Sequence, residues 1–357
     1  MPRSSKRKKR AIITGGAGFI GSHLAEALLA DGHQVTAIDN LSTGRPENVE
    51  QVLGDPGFEL VLGDVADAAL LDRHVAGSDV VFHLAAAVGV RLILADPIQS
   101  FKTNVLGTES VLNAAARHDA KVLIASTSEV YGKVARTPQQ ESDDVLLGAT
   151  SYSRWSYAAC KMLDEFIGLA YARRGLPVVV FRLFNTVGPR QTGAYGMVVP
   201  RFVHAALRSE ALHVHGDGSQ SRCFLHVSDA VEAILRLERS TRAVGDVFNI
   251  GSTESVTILE LAERVLAAVD GHGWNGLADK PSRSLARELI VLTPYEDAFP
   301  AGGFEDIRCR EPAIEKIRRV TRWVPKRTLE DILRDVIADQ ARDLETAPEY
   351  VPVGAVA

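Results

Sequence analysis

The 357-residue chain is expected to adopt an α/β fold, a doubly wound parallel sheet with a smaller C-terminal α/β lobe. Three observations predict it. A short apolar run, Ala11-Ile12-Ile13-Thr14, ends at Gly15-Gly16-Ala17-Gly18-Phe19-Ile20-Gly21, and a helical pattern with Leu24, Leu28 and Leu29 on one face comes next. A second strand, Gln34 to Ile38, ends in an acid, Asp39. Further strand candidates then alternate with helical segments, the pattern of a parallel sheet whose crossovers cover both faces.

Those later strands are Glu59 to Leu62, Val80 to Leu84, Val122 to Ser126 and Val178 to Leu183. After Asn185 the rhythm breaks: Gly, Pro, Arg and Gln cluster through Gly193, and a helix is expected near Pro200 to Ser209. This segment opens the second lobe. Phe224 to Leu237 and Val247 to Ile250 read as a helix and a strand returning to the main sheet, with late helices over Thr257 to Val269 and Thr328 to Asp339. Gly271 to Glu311 reads as loop-rich. The expected organisation is a disordered basic leader over 1–10, a nucleotide-binding domain over 11–185 and 226–252, a substrate lobe over 186–225 and 253–342, and a frayed tail over 343–357.

Composition bounds the function. At 46% hydrophobic residues the chain can bury a large core. A net charge of −5 offers no basic field for nucleic acid, and the one basic run, Ser5 to Arg10, reads as part of the solvated leader. No apolar segment approaches ~18 residues free of charge, so neither a membrane span nor a signal peptide is expected, and the chain reads as cytoplasmic. The three cysteines, Cys160, Cys223 and Cys309, lack metal-type spacing and fit free thiols in a reducing compartment. The ten histidines show no ligand spacing either, so no metal is expected.

The glycines are spaced G-x-x-G-x-x-G (Gly15, Gly18, Gly21) between a strand and a helix. That placement permits a tight turn and close backbone approach to a pyrophosphate, which rests on the positive end of the helix, as in a Rossmann domain. Asp39 is placed to accept hydrogen bonds from an adenosine ribose, and its charge repels a 2′-phosphate; this favours NAD over NADP. Asp64, after another strand, is either a contact to the adenine edge or a helix N-cap. Tyr157 and Lys161, four apart in a helical run, share one helix face, so the ammonium can sit beside the phenol. A phenol near pKa ~10 is a poor base at neutral pH, and a neighbouring cation lowers that value.

Taken in order and spacing, Gly15 to Gly21, Leu84-Ala85-Ala86, Asn104, Ser126 to Gly132 and Tyr157/Lys161 resemble the extended short-chain dehydrogenases, the sugar-nucleotide epimerase and dehydratase family. The resemblance runs from about Ala11 to Ile337. It implies that Tyr157 removes a sugar hydroxyl proton, that Lys161 bridges the nicotinamide ribose, and that Thr127 binds the same sugar oxygen. A cofactor set is implied with them: Gly15, Gly18, Phe19, Ile20, Asp39, Asn40, Ser42, Gly44, Asp64, Val65, Leu84, Ala85, Ala86, Asn104, Ser126, Tyr157 and Lys161. Substrate contacts implied in the same way are Val88, Asn185, Arg190, Val198, Arg222 and Arg310, with a UDP-sugar as ligand and a homodimer as the assembly.

All such enzymes begin by making a 4-keto sugar and NADH; the neighbours of the triad decide the outcome. A 4,6-dehydratase carries an aspartate where this chain has Ser128. Thr127-Ser128-Glu129-Val130-Tyr131-Gly132 is instead similar to UDP-glucuronate decarboxylases. There the oxidised sugar is a β-keto acid, which loses carbon dioxide without protonation of a leaving hydroxyl; Ser128 and Glu129 would hold the ring and manage the proton at C5. Arg154-Trp155-Ser156-Tyr157, and Asp306 to Pro312 with Arg310 near the sugar carboxylate, resemble the decarboxylase of the aminoarabinose pathway. The segment Gln191 to Pro200 looks more like UDP-xylose synthases and 4-epimerases. A UDP-hexose or UDP-uronate 4-epimerase is the alternative, and a non-catalytic NAD-binding sensor a third reading.

Overall fold

The structure, a computed structural model, describes residues 8–88, 96–134, 136–193, 197–271, 288–298 and 305–346. Its centre is a seven-stranded, all-parallel sheet. Six strands come before Asn185: β1 (Arg10–Thr14), β2 (Gln34–Asp39), β3 (Phe58–Leu62), β4 (Val80–His83), β5 (Lys121–Thr127) and β6 (Val178–Leu183). The seventh, Val247–Ile250, pairs with β6, giving the order β3, β2, β1, β4, β5, β6 and then Val247–Ile250. The chain therefore leaves β1 in one direction for β2 and β3 and in the other for β4 and β5. In open α/β sheets a ligand crevice forms at that switch point, outside the carboxyl ends of the strands.

Both faces of the sheet are covered, which is why its strands are apolar nearly throughout. Alternate residues of each strand point to opposite faces. Ala11, Ile13, Val35, Phe82 and Phe181 pack with Leu24 and Leu28 of the helix Phe19–Ala30 and with the helix Val227–Arg239. Ile12, Ile38, Val81, Val122 and Val180 pack on the other side with Leu71, Val111 and Leu112 from the helices Ala68–Val75 and Gly107–Arg117. A separate core joins the helices Val198–Leu207, Ile258–Gly271 and Leu329–Thr346 through Phe202, Val203, Leu261, Val265, Leu333 and Ile337. This second unit stands over the carboxyl end of the sheet and carries short strands, Leu212–His215 and Ser221–Cys223 among them.

The ends differ from the expectation. Lys9 forms an ion pair with Glu238 and Arg10 already belongs to β1, so the end of the basic run is part of the fold; residues 1–7 lie outside the described residues. The last helix continues to Thr346, past the point where a tail was expected at 343, and the rest of that tail lies outside the described residues. The segment expected as a helix from Phe224 starts instead as the two-residue strand Leu225–His226, and the helix begins at Val227, where the His226 imidazole accepts the Ser228 N–H at 3.1 Å as a cap. Much of Gly271 to Glu311 and the tip of the Gln191 to Pro200 segment also fall outside the described residues.

Candidate active site

One cavity runs along the carboxyl ends of β1, β2, β4, β5 and β6. Its first half is built by the glycine loop. Gly15 has φ +73°, and a Cβ there would lie 2.8 Å from the Ala85 nitrogen, so the loop can lie against β4 only as glycine. Gly21 is still tighter, since a Cβ would meet the Gly15 carbonyl at 2.1 Å. Asn48 steadies the loop by donating to the Ala17 carbonyl at 2.8 Å. The buried Asp39 carboxylate accepts the N–H groups of Ala17 (2.9 Å) and Leu41 (2.8 Å), leaving further lone pairs directed at the cavity it lines. Burial pushes its pKa up, and these backbone hydrogen bonds oppose that.

The other half is built by β5 and the helix Trp155–Arg173. Thr127 ends β5 and caps a short 3₁₀ turn, Ser128–Tyr131, by accepting the Glu129 N–H at 3.2 Å. Tyr157 and Lys161 face the cavity from successive turns of the helix. The Lys161 ammonium, however, donates to Asp164 at 3.0 Å, both side chains being essentially inaccessible. The phenol of Tyr157 is therefore not drawn down as the sequence suggested. Burial pushes it up, with Glu129, Asp164 and Cys160 adding to the rise. Behind the pair, Glu165 takes the Arg182 guanidinium in two hydrogen bonds, at 2.9 and 2.7 Å, and also accepts the Ser126 hydroxyl. Arg182 in turn lies 4.7 Å from the Tyr131 ring centroid, and Tyr131 donates to Asn249 at 2.8 Å.

At the far end Glu129 and Arg310 face each other across 3.6 Å, next to Ser128 and Tyr157 in the cavity lining. All six residues expected to be catalytic, Thr127, Ser128, Glu129, Tyr157, Lys161 and Arg310, line this one cavity. So do Gly15, Gly18, Phe19, Ile20, Asp39, Asn40, Ser42, Val65, Leu84, Ala85, Ala86, Ser126, Val88, Asn185 and Arg190.

The remaining expected residues stand behind the wall. Gly44 packs against the Asp39 carboxylate, where a Cβ would come within 2.8 Å of it. Asp64 accepts the Asn40 amide at 2.8 Å and the Ala66 N–H, while the cap of the next helix is Asp67. Asn104 accepts the Ala87 N–H at 2.9 Å and so braces the loop after β4. Val198 opens its helix without lining the cavity. Arg222 is buried and held by Asp306 at 2.9 Å and by the Ser221 carbonyl; burial, with Arg310 and Arg154 nearby, lowers its pKa to about 10. Arg190 lines the cavity but points to the nucleotide domain, donating to Glu26 and Gln51.

Several contributors escaped sequence reading. Arg45 and Thr103 line the cavity and sit in no motif, while Gln191, Thr192 and Met197 line it from the Gln191 to Pro200 segment, where none was singled out as a contact. Asp164 was not singled out either, although its i,i+3 spacing from Lys161 puts the two on one helix face. Among the described residues no cluster of three or more His, Cys, Asp or Glu is placed to hold a metal, and no helix is long and apolar enough to cross a membrane.

A switch-point cavity with a glycine loop on one side and a Tyr/Lys helix on the other defines a dinucleotide-dependent oxidoreductase fold of the extended short-chain type. The chain belongs to the NAD dependent epimerase/dehydratase family, which matches residues 11–251. Among curated proteins it is 43% identical to the UDP-N-acetyl-alpha-D-glucosaminuronate decarboxylase of Bacillus cytotoxicus, over 92% of this chain and 97% of that one. It is 36% identical to UDP-glucuronic acid decarboxylase 1 of Danio rerio, over 98% of this chain and 77% of the relative. Among solved structures, dTDP-glucose 4,6-dehydratase of Bacillus anthracis in complex with NAD superposes with a TM-score of 0.79 at 26% identity, covering 95% of this chain and 98% of the other.

Proposed function

We propose that the chain is an NAD-dependent decarboxylase of UDP-linked uronic acids, with UDP-glucuronate as substrate. The observation that carries this reading is the Glu129–Arg310 pair beside Tyr157, with the neutral Ser128 between Thr127 and Glu129. A dehydratase needs an acid at that serine, and a plain 4-epimerase needs neither the carboxylate nor the guanidinium. A uronate uses both: the arginine fork suits a carboxylate, and the glutamate can hold the proton destined for C5. The decarboxylase names of the relatives at 43% and 36% identity support the same choice over 4-epimerase.

The residues fit the dinucleotide. The glycine loop leaves backbone room for a pyrophosphate at the start of the helix Phe19–Ala30, and Asp39 offers carboxylate lone pairs to a ribose. Bound there, NAD supplies the hydride acceptor for C4 of the sugar. Tyr157 takes the C4 hydroxyl proton, Thr127 orients that oxygen, and Lys161 reaches the ribose. With C4 a ketone, the C6 carboxylate held by Arg310 departs as carbon dioxide and its electrons enter the C4 carbonyl. A solvent proton relayed through Glu129 then reaches C5, with Ser128 beside it in the cavity wall. Asn185 serves the diphosphate end of the sugar nucleotide.

Incubation with UDP-glucuronate should release carbon dioxide and give UDP-xylose, lighter by CO2, where the hydride returns to C4, or UDP-4-keto-pentose, lighter by CO2 and two hydrogens, where it stays on the cofactor. An isomer of unchanged mass would replace this reading with 4-epimerase. The 43% relative favours a second substrate, UDP-N-acetylglucosaminuronate, and the same assay run on both nucleotides separates them.

A homodimer is part of the proposal. Ile98, Phe101 and Leu106 on the helical run Pro97–Arg117 are 71%, 45% and 44% exposed, and Leu163 and Phe166 on Trp155–Arg173 are 39% and 62% exposed. Apolar side chains concentrated on two neighbouring helices support their pairing with the same helices of a second copy.

A further inference from the structure

The charge nearest Lys161 inside the protein comes from its own helix. Asp164 is wholly buried; its Oδ2 accepts the Lys161 ammonium at 3.0 Å, and burial pushes its pKa up against that ammonium and the nearby Thr108 hydroxyl. An apolar side chain at this point would leave the buried Lys161 ammonium without a carboxylate, so the acid is there for the lysine and not for packing.

The other polar groups around the pair are committed elsewhere. His83, at the end of β4, bonds Thr14 at 2.8 Å and Thr108 at 2.9 Å. Glu165, next on the helix, is taken by Arg182 and Ser126. Glu129, from the 3₁₀ turn, faces Arg310. Thr108 donates to the Asn104 carbonyl at 2.6 Å. Cys160 and Tyr157 complete the surroundings on the helix itself. Asp164 is thus the carboxylate aimed at the ammonium that Tyr157 and the dinucleotide ribose would also use.

Resting on the proposed roles of Tyr157 and Lys161, we propose that Asp164 is a positioning residue. It competes with the phenol and with the cofactor ribose for the Lys161 ammonium, and so sets how much of the lysine's charge reaches the reaction. The charges fix the sign. Replacing the carboxylate by a neutral group removes a negative charge beside Tyr157 and leaves the ammonium free for the phenolate and the ribose. Both effects favour the ionised phenol, consistent with the contribution of Asp164 to the upward push on Tyr157.

The test compares wild type with Asp164→Asn, Asp164→Ser and Asp164→Glu. Titration calorimetry with NAD alone should show tighter binding in the Asn and Ser variants, by about threefold, as expected for a cation released from one anionic partner. In stopped-flow formation of NADH from the UDP-uronate, the acid limb of the pH profile should move down by about one unit, so that the rate below the limb rises ~10-fold. Asp164→Glu should restore the wild-type limb. NAD affinity unchanged or weaker in both neutral variants, with the limb in its wild-type place, overturns the inference. If the wild type forms no NADH with either uronate, the substrate reading fails, while the calorimetric comparison still decides the role of Asp164.

Discussion

In its proposed role Tyr157 has to lose a proton in a place that resists it. Its phenol is buried, two carboxylates and a thiol push its pKa further up, and its lysine is turned to Asp164. Tyr157→Phe is expected to keep NAD and UDP-sugar binding and to form no NADH, because the ring stays and only the base is lost. Stopped-flow absorbance and calorimetry read the two halves of that statement, and wild-type NADH formation would refute it. His83 gives a pH dependence of a different kind. Burial, with Lys161 adding, lowers its pKa from 6.5 to about 3. Since Thr108 donates to Asn104, His83 donates from Nε2 to Thr108 and accepts from the Thr14 hydroxyl at Nδ1. Below pH 6.5 the unfolded chain takes up a proton that the folded chain refuses. The His83 contribution is therefore full above that pH and is lost as pH falls toward about 3. Urea unfolding of His83→Asn should show a shallower acid dependence than wild type, by up to ~1.4 kcal/mol per pH unit.

At the scale of elements, the unit that matters is β5, β6 and the helix Trp155–Arg173. Ser126 of β5 and Arg182 of β6 both bond Glu165, which lies one turn beyond Lys161 on the helix. A buried ion pair adds little net stability against an apolar replacement, but removing one partner strands the other. Glu165→Gln leaves Arg182 without its carboxylate and is expected to cost ~3 kcal/mol, with a matching loss in urea midpoint and a drop in turnover as the helix shifts. The pair was hidden from sequence reading because its members are 17 residues apart, on different elements, in no shared motif. By contrast the glycine loop was legible, because a strand, a turn and a helix in succession constrain one another locally. Arg222 marks the limit of motif reading: it stands in the expected loop, yet its guanidinium is spent on Asp306, 84 residues away.

On the scale of the whole molecule, the cavity exists because two separately cored units meet over the carboxyl edge of one sheet. Arg190 ties them together, its side chain on Glu26 and Gln51 and its backbone N–H on Asp339 of the last helix. The helix that presents Tyr157 inward presents Phe166 outward, at 62% exposure, so the proposed dimer surface and the proposed base would share an element. Phe166→Asp combined with Ile98→Asp should convert a dimer to a monomer in sedimentation velocity while leaving the far-ultraviolet spectrum unchanged. Sedimentation as a dimer in that variant would place the interface elsewhere.

Strand–helix alternation, the glycine spacing, Asp39 at a strand end and the Tyr/Lys repeat are local patterns, and local patterns carry the sheet, the dinucleotide site and the family. The sequence could also pair Ser128 with Glu129, which are adjacent. It could not bring Arg310 to Glu129, 181 positions earlier, turn Lys161 toward Asp164 rather than Tyr157, or withdraw Arg222 into a buried ion pair. Those outcomes depend on which charges share a desolvated space, and that space is defined only once the lobe has packed onto the sheet.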